Sequence, residues 1–339
     1  MKPMRVLFLA LVSIAVGCGG SNPAPTGGSG GTGGAAGGGG TGGTGGTGGA
    51  GGPGGSWLTG SEGTLLASYD GANFAAHTAP TTNDLFALTC VGHLDGWAAG
   101  AGGVLIGTHD GGLDWTLESS GVSTTLRALA FSDRDHSLAV GDAGVILRTT
   151  DGGESWTPVA SHTTADLRGV ALGSDGRAFA VGAGGVMLRS VDGGQTFGTP
   201  ASLAATDLRA VRWNGSVGAG FAVGLGGVVL GSTDGASWQP LEAAAGDLTA
   251  ISLSDDATRA VAVGANGLVW RTVDAGAHWS AGTSGTTASL ATIGFSDDDE
   301  GLGWAAGAGG ALLVTHDGGA SFSALVSPTT HDLFAVEDL

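Results

Sequence analysis

Thr149-Thr150-Asp151-Gly152-Gly153-Glu154-Ser155-Trp156 decides how this chain folds, because the same phrase returns six more times. Full-length copies run from Thr108 to Trp115, Ser190 to Phe197, Thr272 to Trp279 and Thr315 to Phe322. Copies one residue shorter run from Ser68 to Phe74 and from Ser232 to Trp238. The aspartates are Asp70, Asp110, Asp151, Asp192, Asp234, Asp274 and Asp317, spaced by 40, 41, 41, 42, 40 and 43 residues. In each copy the carboxylate is placed to accept bonds from nearby backbone N–H groups and so fix a tight turn. Glycine supplies the positive φ such a turn needs, and the closing Trp or Phe is free to pack between sheets. These are structural aspartates rather than a ring of catalytic or calcium-binding ones.

Working outward from the phrase, a hairpin precedes each copy. Leu138-Ala139-Val140-Gly141 passes through Asp142-Ala143-Gly144 into Val145-Ile146-Leu147-Arg148. Equivalent runs start at Trp57, Trp97, Phe179, Phe221, Val261 and Trp304. A segment such as Asp166-Leu167-Arg168-Gly169-Val170 opens each unit, and the stretch after the aromatic supplies a fourth strand. Four short strands per forty residues, with no helical periodicity, predict an all-β, seven-bladed β-propeller with four-stranded blades. The first unit begins at Trp57 without an opening strand, and the chain ends Asp332-Leu333-Phe334-Ala335-Val336, close to Asp84-Leu85-Phe86-Ala87-Leu88. The C-terminal strand is therefore expected to complete blade one and close the ring, removing an exposed edge.

The repeated phrase resembles the Asp-box, Ser/Thr-x-Asp-x-Gly-x-Ser/Thr-Trp/Phe, of sialidases and many other propellers. Across residues 56–339 the pairing of runs such as Trp97-Ala98-Ala99-Gly100 with an Asp-box also resembles the propellers of the photosystem II assembly-factor family. That resemblance implies an assembly chaperone acting by binding rather than a catalyst. Nothing in the sequence suggests photosynthesis.

The rest of the chain is different. Of 70 glycines, 22 fall between Gly19 and Gly55, in an uncharged stretch of Gly-Gly-Thr repeats that cannot bury enough surface to offset chain entropy. Residues 18–55 read as a coil with an end-to-end distance of roughly 35 Å. Residues 1–17 read as an export signal: Lys2 and Arg5 form its positive end and Val6 to Val16 its apolar core, too short for a mature membrane span. Ala15-Val16-Gly17-Cys18 resembles the lipobox of bacterial lipoproteins, with Ala15 where leucine is usual. The resemblance implies cleavage before Cys18 and its acylation, giving a propeller over 56–339 anchored in the bacterial cell envelope by lipid alone, on the outer membrane's periplasmic side or the cell surface.

Charge sets further limits. The chain carries 30 acidic and 12 basic residues, and losing Lys2 and Arg5 leaves 10 arginines against 30 carboxylates, about −20. Such a field disfavours nucleic acid and anionic lipid as partners. Cys90, in Leu88-Thr89-Cys90-Val91, is expected to pack as a small hydrophobe, so no disulfide holds the fold. No histidine spacing suggests a metal, and no cofactor is implied. The acidic run Asp297 to Glu300 lacks an EF-hand pattern and reads as a solvated turn.

Blade lengths vary too little to hold the long insertions from which propeller enzymes build active sites. Sialidase chemistry needs a tyrosine nucleophile, and the one tyrosine, Tyr69, sits inside an Asp-box. A binding platform is therefore expected rather than an enzyme, with a glycan-binding or glycan-cleaving propeller as the alternative; a carboxylate pair facing the channel would favour that alternative. One constellation emerges when the inner strands are aligned. After the opening leucine, blades one to seven carry Phe334, Phe86, Arg127, Arg168, Arg209, Thr249 and Ala291. Propeller geometry puts this position near a channel mouth, where an arc of three arginines beside Phe86 and Phe334 suits an anionic protein or peptide partner of a monomeric propeller. The competing expectation is that Arg168 and Arg209 pair with Asp166, Asp207 or Asp247 and brace the blades. Arg148, Arg189 and Arg271 form a second, inter-blade series.

Overall fold

A computed structural model describes residues 55–92, 94–198, 205–296 and 301–337. The signal, Cys18, the glycine-rich stretch and the acidic run from Asp297 to Glu300 lie outside the described residues.

Seven antiparallel sheets form a propeller. Six have four strands; the sheet of blade four has three, and a bridge between Arg189 and Gly198 stands at its fourth place. The ring closes as the repeat register requires. Strand Leu333–Glu337 pairs with Ser56–Gly60, matching Leu58 with Val336 and Thr59 with Ala335.

The core is not one mass but a set of seams between neighbouring blades. Second strands such as Ser137–Gly141 and Ala178–Gly182 are buried at every residue, which explains their unbroken apolar runs. Leu138 and Ile146 of blade three pack with Leu167 and Val170 of blade four. Leu58 and Leu66 of blade one pack with Trp304 and Leu312 of blade seven, so the seam across the closure resembles the others. The Asp-box aromatics fill these seams: Trp115 of blade two meets Trp57 of blade one at 5.5 Å, and Trp279 of blade six meets Phe221 of blade five at the same spacing. Gly112, in the Asp-box at φ 84°, has to be glycine, because a Cβ there would stand 2.0 Å from Trp57 Cζ2.

The Asp-boxes work as the spacing predicts. Asp151 accepts from Ser155 N at 3.0 Å and Thr149 Oγ1 at 2.6 Å, while Thr149 Oγ1 accepts from Gly153 N. In the short copies the carboxylate reaches the N–H groups two and three residues on, as Asp234 does with Ala236 and Ser237. These bonds favour the ionised form. Ser321 chiefly, against a partial opposing effect of burial, holds Asp317 at about 2.

Cys90, near the end of strand Leu85–Val91, is a free thiol, as expected, and half-buried.

Candidate functional site

Each inner strand opens with a leucine that is wholly buried: Leu333, Leu85, Leu126, Leu167, Leu208, Leu248 and Leu290. Immediately after it the pairing register shifts by one residue. The shift falls between Leu126 and Ala128, Leu167 and Gly169, Leu208 and Ala210, and likewise in the other blades. The residue stepped over is therefore a β-bulge, free of the alternation that buries its neighbours. In order these bulge residues are Phe334, Phe86, Arg127, Arg168, Arg209, Thr249 and Ala291, all half-buried. The position singled out from sequence is thus a β-bulge in every blade.

Contacts run along this ring from blade to blade. Phe334 and Phe86 stand 5.0 Å apart, and the Arg127 guanidinium lies 5.4 Å from the Phe86 ring centre. Thr249 Oγ1 donates to the carbonyls of Val263 and Leu290. The three arginines are not equivalent. Arg127 is clamped by Asp142 through both Nε to Oδ1 and Nη2 to Oδ2, the latter at 2.9 Å. Arg168 stands 3.6 Å from Asp166 and 3.9 Å from Asp207, and Arg209 3.8 Å from the same Asp207 oxygen. These distances are too long for hydrogen bonds. The Nε atoms of Arg168 and Arg209 are buried with no hydrogen-bond partner. Burial first, then the Arg168 charge, draws Arg209 below the usual arginine range, with Arg127 adding to the effect.

Bracing by carboxylates is therefore real but unevenly shared. Asp142, not foreseen from sequence, does most of it. The signal was available: the first residue of the hairpin turn is Ala, Leu or Ser in the other blades, and Asp only in blade three, beside the first arginine of the arc. Asp166, Asp207 and Asp247 have a prior engagement. Each accepts the central N–H of the preceding blade's turn, from Ala143, Gly184 and Gly226, and Asp332 and Asp84 do the same for Gly309 and Glu62. These five carboxylates latch blade to blade and leave Arg168 and Arg209 loosely held. The second arginine series behaves as expected at Arg148, whose Nε donates to Gly193 O of the next blade.

A group that sequence reasoning missed lies in blade two. Asp95, buried, accepts from His109 Nδ1 at 2.7 Å and from Arg134 Nη2 at 3.2 Å, with Arg134 Nε 2.8 Å from its other oxygen. His109 Nε2 stands 3.9 Å from Glu118, whose carboxyl burial pushes up to about 7 despite the nearby histidine and Trp97. Among the described residues no three histidine, cysteine or acidic side chains are disposed to hold a metal.

The family model of the photosynthesis system II assembly factor YCF48 matches residues 154–302. Among solved structures, YCF48 bound to a D1 peptide superposes with a TM-score of 0.61 at 19% identity, covering 80% of this chain and 98% of that one. YCF48 from Cyanidioschyzon merolae gives 0.58 at 21% identity, over 72% and 86% of the two chains. A GH74 xyloglucanase from Xanthomonas campestris gives 0.59 at 13% identity, covering 71% of this chain and 45% of that one. No curated protein matches the chain in sequence. At these identities the likeness to solved structures establishes the fold, and the repeats resemble those of the YCF48 propellers.

Proposed function

We propose that the propeller is a peptide-binding assembly platform, and that its contact site is the channel mouth between Phe334 and Arg209. The observation that carries this reading is the pair Arg168 and Arg209. Two half-buried guanidiniums stand 3.8–3.9 Å from one Asp207 oxygen, too far for a hydrogen bond, so the site's own acids leave their terminal N–H groups loosely held. Such partly desolvated terminal donors gain from an incoming carboxylate. Phe86, two blades before Arg168, and Phe334 beside it offer an apolar surface for the flanking part of an extended chain. Arg127 is placed as the hinge between the two halves, fixed by Asp142 and leaning on Phe86.

The YCF48 structure with a bound D1 peptide supports a peptide as the class of ligand. Its family description as an assembly factor supports action by binding rather than by catalysis. We further read the chain as an envelope lipoprotein carried on Cys18, with residues 18–55 holding the propeller near the membrane surface.

The test is a peptide array of envelope-protein segments probed with the full chain and with Arg168→Gln/Arg209→Gln. The expected result is acidic, apolar-flanked peptides that bind the parent and lose at least about tenfold affinity in the double variant. Equal binding by both proteins, or loss only in Arg127→Gln, would overturn the assignment.

A further inference from the structure

Basic residues are confined to one side of the ring. From residue 18 onward the chain has no lysine, and no arginine lies before Arg127 or after Arg271. Blades one, two and seven therefore carry acidic residues and histidines but no guanidinium or ammonium; the arginines belong to blades three to six. The acidic residues of blades one and seven that fall outside the described segments, Asp297 to Glu300 and Asp338, have the same sign and only add to the imbalance.

This asymmetry runs across the mouth between Phe334 and Arg209. Arg168 and Arg209 belong to blades four and five, the two farthest from blade one in a seven-fold ring. At blade one the exposed charge is Glu62, the central residue of the hairpin turn, at φ 55°. That place is held by glycine, alanine or asparagine in the other six blades. Its side chain is 75% exposed. The Glu62 N–H donates to Asp84 Oδ1 at 2.9 Å, two residues before Phe86. The Glu62 carboxylate lies 3.6 Å from Nε2 of His331, three residues before Phe334. Glu62 thus stands beside the starts of both strands that carry the phenylalanines.

His331 does not satisfy this carboxylate, because 3.6 Å is too long for a hydrogen bond. Thr64 Oγ1 donates to Ser61 O at 2.6 Å, so it accepts from His331 Nδ1–H at 2.9 Å. The neutral imidazole is left with a bare Nε2 next to Glu62: two acceptors and no donor. Asp84 and Asp332, each giving one oxygen to a backbone N–H, hold two more negative charges at this end. A cation bearing N–H groups supplies what the pair lacks, and no arginine or lysine of blades one, two or seven competes with it. Neighbouring bulge side chains stand 5.0 Å apart at Phe334 and Phe86. A seven-fold ring of that step sets blades one and four roughly 11 Å apart, three to four residues of extended chain at about 3.3 Å each.

We infer that this mouth selects a bipolar peptide, with an acidic residue at Arg168 and Arg209, apolar side chains over Phe86 and Phe334, and a basic group against Glu62 and His331. The inference rests on the peptide-binding reading and narrows it to one charge pattern. Charges at such a rim choose among partners and keep out the wrong ones, here peptides acidic at both ends.

The test is fluorescence anisotropy of labelled, end-capped peptides with the full chain. One peptide carries aspartate and lysine separated by about three apolar residues; two others have glutamine or glutamate in place of the lysine, and all are made in both chain directions. In one direction the bipolar peptide is expected to bind about tenfold tighter than the glutamine peptide, and the glutamate peptide weakest. Glu62→Gln should remove the advantage of lysine, and Glu62→Lys should reverse the order in favour of the glutamate peptide. The glutamine peptide binding the parent and lost from Arg168→Gln/Arg209→Gln, with lysine adding nothing in either direction, leaves the platform standing and overturns the bipolar partner. A preference for lysine that survives in Glu62→Lys overturns it too. Binding of none of the peptides sinks both readings together.

Discussion

Leu333→Ala measures whether the last strand is a working part of the ring. Leu333 is fully buried, like its six counterparts, and packs with Leu58, Leu66, Phe74 and Trp304 across the closing seam. Truncating a leucine in such a site costs about 2–5 kcal/mol, the transfer of the lost methylenes plus the cavity left behind. For a body of this size about 3 kcal/mol lowers the melting temperature by roughly 6–12 °C. Leu167→Ala, at the same position in blade four and also fully buried, is the internal standard. Urea unfolding followed by tryptophan fluorescence should give the two variants losses within about 1 kcal/mol of each other. If Leu333→Ala costs less than about 0.5 kcal/mol, the value of an ordinary surface change, while Leu167→Ala costs several, the terminal strand does not complete blade one. The closure would then be wrong.

Arg127→Gln should act on stability more than on binding, because it removes the clamp on Asp142 and the contact with Phe86. About 1–2 kcal/mol by denaturant titration is expected, larger than for Arg168→Gln, whose ion pairs are loose. Glu118 makes a pH-dependent contribution. Its folded value, about 7, lies above that of an unfolded carboxyl, so its contribution is fully present below about 4.3 and fades as pH rises through 7. Glu118→Gln should therefore gain stability over the parent at pH 8 and show no gain at pH 4; an equal difference at both would contradict the burial argument. Cys18→Ser should move the protein from the membrane to the soluble fraction and abolish a diacylglyceryl mass increment on the N-terminal peptide. Unchanged fractionation and mass would remove the lipid anchor from the account.

The repeat spacing, read as sequence, was enough for the fold. A propeller's contacts are local or between successive units, so a forty-residue period carries both the strand order and the stacking rule. The matching phrases at 84–88 and 332–336 carried the closure as well. The same alignment exposed the ring of bulge residues, since equivalent positions in equivalent blades must lie on one circle. What it could not supply was how each charge is shared. Asp142 clamps Arg127 because a hairpin turn and an inner strand of one blade meet at the mouth, fifteen residues apart in sequence. Asp166 and Asp207 give one oxygen to the preceding blade's N–H group and hold the arginines with the other only at 3.6–3.9 Å. A cavity at the ends of the inner strands is lined by residues of blades five, six, seven and one, with blade one's Val336 and Glu337 arriving from the end of the chain. Hydrogen bonding and ion pairing act over a few ångströms, so which partner wins depends on distances between blades. Only the closed ring sets those distances.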